Sequence, residues 1–355
     1  MAEPNAVAQS HGPASPHAAG QPDPHAAGQP DPHPTRVQTK PPSRVGDRIF
    51  SGTSATVAIL LAVLVVLIFA FLVRSAIPAL QDNESNFFTT RTWSTDSSPL
   101  NFGIAAMAWA TAISSIIALA VAVPLAIGIA LFITQMAPPR LAGPVAFVVD
   151  LLAAVPSIIF GLWGSIVLSQ AGFLEWIRSV LATLLGWIPI FRETPSWTDV
   201  SGTVFLASTV LAIMILPIIT ATSRDVMAQT PTDQIEASLA LGATRWEVIK
   251  MAVLPHARSG IISGSMLGLG RALGETLAVT LILQQVSQMQ LRRAFDPSIF
   301  TGGDTFASKI ARDFPEALND PKSLGALVAS GLALFVITFF VNGAARMIAE
   351  RGVKR

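Results

Sequence analysis

The chain has 355 residues, of which 51% are hydrophobic and only 13% are charged. These fractions are too apolar for a soluble protein of this length and indicate a membrane protein. The absence of cysteine excludes a disulfide framework and thiol chemistry, and a formal net charge of +1 gives no indication of a nucleic-acid partner. The phosphate-cradling pattern G-x-x-x-x-G-K-[ST] is missing from the sequence, so any ATP that drives this protein has to bind to another chain.

The first 48 residues differ in composition from the rest of the chain. The octapeptide at Pro16–Asp23 is repeated at Pro24–Asp31, within a tract rich in proline, glycine, alanine and histidine. Because such a tract cannot bury a hydrophobic core, residues 1–48 are predicted to form a disordered tail, and residues 49–355 one transmembrane domain. A weak metal site at the tail histidines is the alternative interpretation. These histidines are His11, His17, His25 and His33.

Six segments contain the run of about 20 mostly apolar residues that a membrane-spanning helix needs, so an all-α polytopic fold is predicted. They are Ser54–Val73, Ile104–Phe132, Pro144–Leu168, Val200–Ala221, Gly260–Leu283 and Ser323–Met347. The segment Phe173–Ile190 carries Glu175 and Arg178 on one side and Trp and Leu residues on the other. This pattern predicts an amphipathic helix at the membrane interface, and a seventh span is the alternative.

Lysine and arginine are unevenly distributed between the loops. They are concentrated at the end of the N-terminal tail, in the loop after the fourth span and in the C-terminal tail, and are sparser for their length in the loops of the other side. By the positive-inside rule, both termini are predicted to be cytoplasmic. The polar segment Glu236–Pro255 then also lies in the cytoplasm.

That polar segment, between the fourth and fifth spans, has the features of two short helices. Pro231 and Asp233 provide a helix start with a carboxylate in the first turn. Gly242 can adopt the left-handed conformation that ends one helix and permits another to begin, and Pro255 is expected to end the second. An ordinary cytoplasmic helical hairpin is one interpretation, and a pair of helices that docks on a partner is the other.

Arg271 and Glu275 are ionisable residues within the otherwise apolar fifth span. Charged groups at membrane depth are costly and usually face a cavity or a partner helix. At a rise of about 1.5 Å per residue, Arg271 lies about 16 Å into the span, and Glu275 would share its helix face and pair with it. Since a guanidinium offers a planar fork to an oxyanion, Arg271 is a candidate cationic station on an anion path. A buried ion pair that locks helices together is the structural alternative.

Glycines recur along the same span at four-residue spacing. One row consists of Gly260, Gly264 and Gly268, and a second row of Gly270 and Gly274. Small residues on one face allow helices to approach closely in membranes. We expect a seam with a second membrane subunit, and packing within one chain is an equal alternative for at least one row.

The segment EASLALGATRWEVIKMAVLP resembles the coupling loop of ABC-importer permeases. Glu236, Ala237, Gly242, Leu254 and Pro255 fall on the family pattern, whereas Ser238 and Ala252 are mild departures from it. The sequence GRALGETLAV in the fifth span narrows the resemblance to the PstC-type permease subunits of phosphate importers. The likeness covers residues 50–350 and also rests on AVPLAIGIALFITQ, PSIIFGLWG and FASKIARDFPEA.

This resemblance implies the ABC-importer permease fold, with cytoplasmic coupling helices between spans four and five. It implies that Arg271 and Glu275 are on the phosphate path and that the coupling loop contacts an ATPase. The implied partners are a second, PstA-type permease, a dimer of ATPase subunits, an extracytoplasmic phosphate-binding protein and membrane lipid. This chain would bind no cofactor itself, because ATP and Mg²⁺ belong to the ATPase, and it would be a multi-pass protein of the cell membrane.

Three other functions are compatible with parts of the sequence. A permease for sulfate or molybdate would share the coupling loop, but GRALGET is of the phosphate type. An ion-driven secondary transporter would show broken helices in two related halves, and no convincing internal repeat is present. A purely structural membrane subunit would have little use for Arg271 near the midplane.

Overall fold

The computed structural model describes residues 44–95, 99–195, 197, 199–284 and 296–353. By its internal contacts the chain divides into a unit of residues 1–60 and a unit of residues 61–355. The octapeptide repeat and the four tail histidines lie outside the described residues. The first helix begins at Arg44, so residues 44–48, which the sequence assigned to the tail, are helical.

The described chain is built almost entirely of helices, with one short antiparallel ribbon. The ribbon pairs β1 (Trp93–Ser94) with β2 (Asn101–Phe102). The helices before the polar loop are α1 (Arg44–Gln81), α2 (Ala105–Leu131), α3 (Pro139–Ala153), α4 (Ser157–Ile166), α5 (Gly172–Leu185) and α6 (Val204–Ala228). Those from the polar loop onward are α7 (Thr232–Ala240), α8 (Arg245–Val248), α9 (Leu254–Gly274), α10 (Leu277–Ile282), α11 (Phe306–Ala317) and α12 (Pro321–Val353).

Short irregular helical segments extend or link several of these helices. Two of them are π-helical, and they continue α2 and α8 respectively: Phe132–Met136 and Ile249–Val253. Two others are single 3₁₀ turns on either side of α5: Leu168–Gln170 and Pro189–Phe191. The chain is therefore nearly continuous helix from Ala105 to Met136 and from Arg245 to Gly274.

Within the described residues, four helices are long and apolar enough to cross a membrane, and a bent pair could provide a fifth crossing. The four overlap the first, second, fourth and sixth predicted spans: Gly46–Gln81, Ala105–Met136, Val204–Ala228 and Pro321–Met347. This number agrees roughly with the six predicted spans. The third and fifth predicted spans are both interrupted in the structure.

The third predicted span, Pro144–Leu168, is not a single straight helix. It is divided into α3 and α4, which together with the following 3₁₀ turn are bent by 91°. Pro156 lies at the break, with the extended backbone angles φ −58° and ψ 137°. Proline lacks the N–H that would continue the helix and disfavours helical angles at the residue before it, so the helix is interrupted at a point that the apolar run alone does not reveal.

The fifth predicted span, Gly260–Leu283, is also divided. Helix α9 ends at Gly274, and Glu275 has extended angles of φ −68° and ψ 125°. The Ala278 N–H donates to the Glu275 carboxylate over 3.3 Å, which satisfies one of the unpaired donors at the start of α10. The second half-helix then packs closely on α4, because a Cβ added to Gly161 would lie only 2.7 Å from the Ala278 Cα.

Helix α6 is at the centre of the larger unit. In its most apolar window, 72% of the residues are buried, against 28% in the windows of α2 and α12. Alanines at four-residue intervals on α2 are fully buried against this core, and they allow the two backbones to approach closely. These alanines are Ala118, Ala122 and Ala126.

Helix α5 corresponds to the predicted interfacial helix, but Arg178 on its charged side is buried. Arg178 is only 8% exposed and forms ion pairs with Glu175 and Glu193. The apolar residues Trp176 and Leu184 are instead 65% and 67% exposed. With 14 residues, α5 is about 21 Å long at 1.5 Å per residue and is too short for the alternative of a seventh span.

Candidate functional site

A cleft of about 880 Å³ lies beside α9 in the larger unit. Its polar lining consists of Ser263, Arg271, Asn342 and Arg346, and most of the remaining wall is apolar. The described lining residues include two guanidinium groups and no carboxylate. A cleft with this charge and mostly apolar walls is suited to an anion, because an apolar wall screens the attraction less than water does.

Helix α9 has one face in the core and another that is open in the single chain. The core face carries Gly264 and Gly268, where an added Cβ would lie 3.0 Å from the Thr222 Cβ and 2.9 Å from the Ile219 Cδ1, both on α6. The first glycine row therefore packs within the chain, on α6, and does not form the expected seam with a second subunit. The open face contains exposed residues spaced by about one turn: Ser263, Leu267, Arg271 and Gly274.

The second glycine row is more loosely packed. A Cβ on Gly270 would lie 3.8 Å from the Asn342 Oδ1 of α12, and a Cβ on Gly274 would meet nothing within 4 Å. Close approach within the chain thus does not explain Gly274. Its place next to the end of α9 is consistent with its low helix propensity.

Arg271 is in the last turn of α9, and its side chain is exposed to the cleft. The expectation that it shares a helix face with Glu275 and pairs with it is wrong, because the helix ends at Gly274 and the four-residue register is lost. Among the described residues, no ion pair joins Arg271 to any carboxylate. The Glu275 carboxylate instead accepts the Ala278 N–H. The guanidinium fork is therefore available to a ligand in the cleft.

The predicted turn of the polar loop is present at Gly242, which has φ +84°. A Cβ there would meet nothing within 4 Å, so the backbone conformation rather than space favours glycine. Thr244 and Glu247 form a reciprocal capping box at the start of α8. The Thr244 backbone N–H and hydroxyl both donate to the Glu247 carboxylate, which lowers its pKa below the usual value.

Pro255 does not end the second helix of this loop as expected. It is near the start of α9, and α8, the π segment and α9 form one continuous helix. The Leu254 N–H bonds to the Ile249 carbonyl, five residues back, and this wider turn accommodates a residue that has no N–H of its own. The loop therefore consists of α7, the Gly242 turn and the extended start of α9.

Exposed apolar side chains are grouped on this loop. Leu241 is 90% exposed, Trp246 is 62% and Met251 is 60%. Glu236 and Ala237 are exposed on α7 beside them. Apolar groups exposed together on an otherwise polar segment indicate a docking surface for another protein.

The structure brings together residues for which the sequence alone predicts no functional role. Arg346 and Asn342 line the Arg271 cleft, whereas in the sequence Arg346 counts only among the basic residues of the C-terminal end that predict orientation. Asp150, which had no role, forms an ion pair with Arg224 of α6 over 3.2 Å. Both contacts join residues about 70 positions apart, and no spacing signal within one segment could have revealed them.

Among the described residues, no group of three His, Asp or Glu side chains could hold a metal ion.

The charged residues Lys309, Arg312, Asp313 and Glu316 of α11 predict a solvated helix face, with a docking patch as the alternative, but the first three are partly or fully buried. Lys309 is only 8% exposed, forms an ion pair with Asp313 over 2.6 Å, and lies 5.4 Å from the Trp93 ring centroid. Arg312 forms an ion pair with Asp304. Both ion pairs join residues of α11 or of the segment just before it, and the contact of Lys309 with Trp93 connects the helix to β1.

Comparison with known proteins identifies the family. Residues 122–353 match the family described as binding-protein-dependent transport system inner membrane component. The phosphate transport system permease protein PstC 2 of Mycobacterium tuberculosis is 50% identical over 309 residues, which cover 87% of this chain and 93% of that protein. The phosphate transport system permease protein PstC of Mesorhizobium japonicum is 37% identical over 306 residues, which cover 86% and 90%.

A solved structure supports the fold. The crystal structure of a bacterial ABC transporter involved in the import of the acidic polysaccharide alginate contains a chain that is 18% identical, with a TM-score of 0.50. The match covers 85% of this chain and 99% of that one. The chain described here therefore belongs to the family of binding-protein-dependent transport system inner membrane components, as a permease subunit of the PstC type.

Proposed function

We propose that this chain is the transmembrane permease subunit of an ATP-driven importer of inorganic phosphate. The observation that carries the proposal is the Arg271 guanidinium, which faces an anion-compatible cleft and forms no ion pair with a described carboxylate. A planar fork of donors binds two oxygens of a tetrahedral oxyanion at once. The relatives are named as phosphate transport permeases, and this supports phosphate rather than sulfate or molybdate as the substrate.

The open face of α9 supports a second permease subunit as a partner. Leu267 is 61% exposed there, next to Arg271 and opposite the glycine row that packs on α6. A similar, PstA-type subunit on this face would close the cleft and complete the translocation path. Glu275, at the break between α9 and α10, would shape the end of that path through the backbone rather than as an ion-pair partner.

As a member of this family, the chain pairs with an ATPase and a binding protein. We assign the ATPase contact to the loop around Gly242, where Leu241, Trp246 and Met251 are exposed. Leu254 and Pro255 would transmit its movement into α9, because they join the loop to that helix without a break. ATP and Mg²⁺ would bind to an ATPase dimer, and this chain would need no cofactor.

The direction of transport follows from the proposed orientation. The basic residues of both tails and of the polar loop support a cytoplasmic location for the termini and the ATPase contact. The opposite side then receives phosphate from an extracytoplasmic binding protein. That protein can drive the switch to an outward-facing state only if it binds that state more tightly than the inward-facing one.

Two experiments on the purified complex test this function. The chain is expected to co-purify with a second permease and an ATPase pair. In reconstituted vesicles with the binding protein, it is expected to take up radiolabelled phosphate when ATP is supplied, with little competition from sulfate or molybdate. ATP-dependent uptake of sulfate in preference to phosphate would overturn the substrate assignment, and uptake without any ATPase would favour a secondary transporter.

Deletion of residues 2–40 is expected to leave membrane insertion and phosphate uptake largely unchanged. The deleted tract lacks the apolar content to form a core, and Arg44 and Arg48 remain to mark the inner side of α1. Uptake by the deleted and full-length chains should be compared at equal membrane levels. A loss of uptake at normal levels would show that the tail takes part in transport.

A further inference from the structure

Arg346 has a position that its role as a topological charge does not explain. It lines the same cleft as Arg271, together with Asn342 one turn before it on α12. Asn342 is opposite Gly270, since its Oδ1 is 3.8 Å from the position of a Cβ on that glycine. Arg346 follows Asn342 by four residues, so it lies about one helical turn, or roughly 6 Å along α12, beyond the level of Gly270 and its neighbour Arg271.

The direction of that offset follows from the proposed orientation. Helix α12 leads toward the cytoplasmic C-terminus, so Arg346 is on the inner side of Asn342. On the opposite wall, α9 leads inward from Gly270 to Ser263, which is seven residues or about 10 Å closer to the cytoplasm. The polar groups thus follow one another inward in the order Arg271, Asn342 and Arg346.

A single cation in an apolar cleft would be a poor binding site for a transported anion, because the anion would be released slowly. An anion that binds there gains charge-assisted hydrogen bonds, and it can leave only by losing them all at once. Passage through a pore is faster when several sites each bind moderately and the ligand moves between them. A second guanidinium that lines the same cleft, with the Asn342 amide at an intermediate level, lowers the cost of leaving Arg271.

We propose that Arg346 is a second oxyanion station, which accepts phosphate from Arg271 through the Asn342 amide and releases it to the cytoplasm. This inference rests on the proposed phosphate-import function and adds the exit step to it. The competing explanation is that Arg346 only fixes the orientation of α12 in the membrane. The two explanations differ in whether the charge at this position has to face the transported anion.

The absence of cysteine from the chain permits a direct test of that charge. Arg346→Cys is introduced, and the reconstituted complex is treated with a methanethiosulfonate reagent that carries either an aminoethyl or a sulfonatoethyl group. Each reagent forms a disulfide with the cysteine sulfur and releases methanesulfinate. Met347→Cys is the matched control, because Met347 is the next residue on α12, is 58% exposed, and does not line the cleft. The untreated and treated wild-type complex controls for cysteines on partner chains.

Arg346→Cys is expected to lower the maximal rate of phosphate uptake about tenfold, the effect of losing one hydrogen bond to a charged group. The aminoethyl adduct should restore most of the rate, and the sulfonatoethyl adduct should lower it further. The concentration of binding protein that gives half-maximal uptake should not change, because the station is on the inner side. Met347→Cys should respond equally weakly to both reagents.

Full uptake by Arg346→Cys, or equal effects of the two reagents at position 346, would overturn the proposal. A loss of membrane insertion or of complex assembly with Arg346→Cys, and its recovery with either adduct, would support the orientation role instead. Failure of the wild-type complex to transport phosphate would reject the proposed function, and this result is distinct from both of the others.

Discussion

Arg271→Gln is expected to lower phosphate uptake by about one to two orders of magnitude while the complex still assembles. Glutamine keeps much of the length and hydrogen bonding of the side chain but removes the charge. Hydrogen bonds to charged groups contribute about 1.5–3 kcal/mol, which corresponds to that range of rates. Because Arg271 is exposed in the single chain and pairs with no described carboxylate, its removal should not destabilise this subunit. Uptake, co-purification of partners and thermal unfolding are to be measured together.

Two further variants separate transport from structure in this experiment. Arg258→Gln removes an exposed charge from the same helix outside the cleft, so it should leave uptake nearly unchanged. Glu275→Gln should not rescue Arg271→Gln, since the two side chains form no ion pair. Recovery of uptake in that double variant, or dissociation of the complex with Arg271→Gln alone, would count against the anion-path assignment.

Gly242→Val is expected to leave the subunit in the membrane but to disconnect ATP hydrolysis from uptake. The φ of +84° at Gly242 is a left-handed conformation, and a residue with a Cβ pays roughly 1–2 kcal/mol to adopt it, with a β-branched residue least tolerated. Such a strain corresponds to about a 5- to 30-fold change in the population of the native turn. The turn orients α7 against the start of α8, so the exposed surface around Leu241 and Trp246 would be displaced. ATPase activity and uptake are measured on the same vesicles.

Gly242→Asn provides the matched control for this backbone effect. Asparagine adopts the left-handed conformation more readily than other residues with a side chain, and open space surrounds the position. We expect Gly242→Asn to keep most of the coupled uptake. Equal loss in the asparagine and valine variants would indicate that the side chain obstructs the partner, and normal coupling with valine would reject the assignment of the ATPase contact to this loop.

The local features of the polar loop could be predicted from the sequence. The chain reverses at Gly242 because few residues other than glycine adopt a positive φ, and this preference needs no tertiary contact. Pro255 shows the limit of the same reasoning. Its missing N–H predicted a helix end, but a π turn between Ile249 and Leu254 absorbs the defect and carries the helix on into α9.

The candidate site was only partly predictable. Arg271 could be singled out because a charge in an apolar span is costly wherever the span packs. The position of Glu275 relative to Arg271 could not be predicted. A four-residue spacing puts two side chains on one face only if the helix is continuous, and α9 ends between these residues. Asn342 and Arg346 join the cleft from a helix about 70 residues further along the chain, where their own segment gives no signal.

By itself, the sequence determined the membrane class of this protein, the positions of its long apolar helices, the turn at Gly242 and the presence of Arg271 within an apolar span. Each of these follows from composition or from backbone preferences over a few residues. Only the tertiary structure decided that the glycine row of α9 packs on α6 and that Arg346 shares a cleft with Arg271. These features depend on which distant helices lie side by side, because packing between apolar surfaces selects partners by shape across the whole chain.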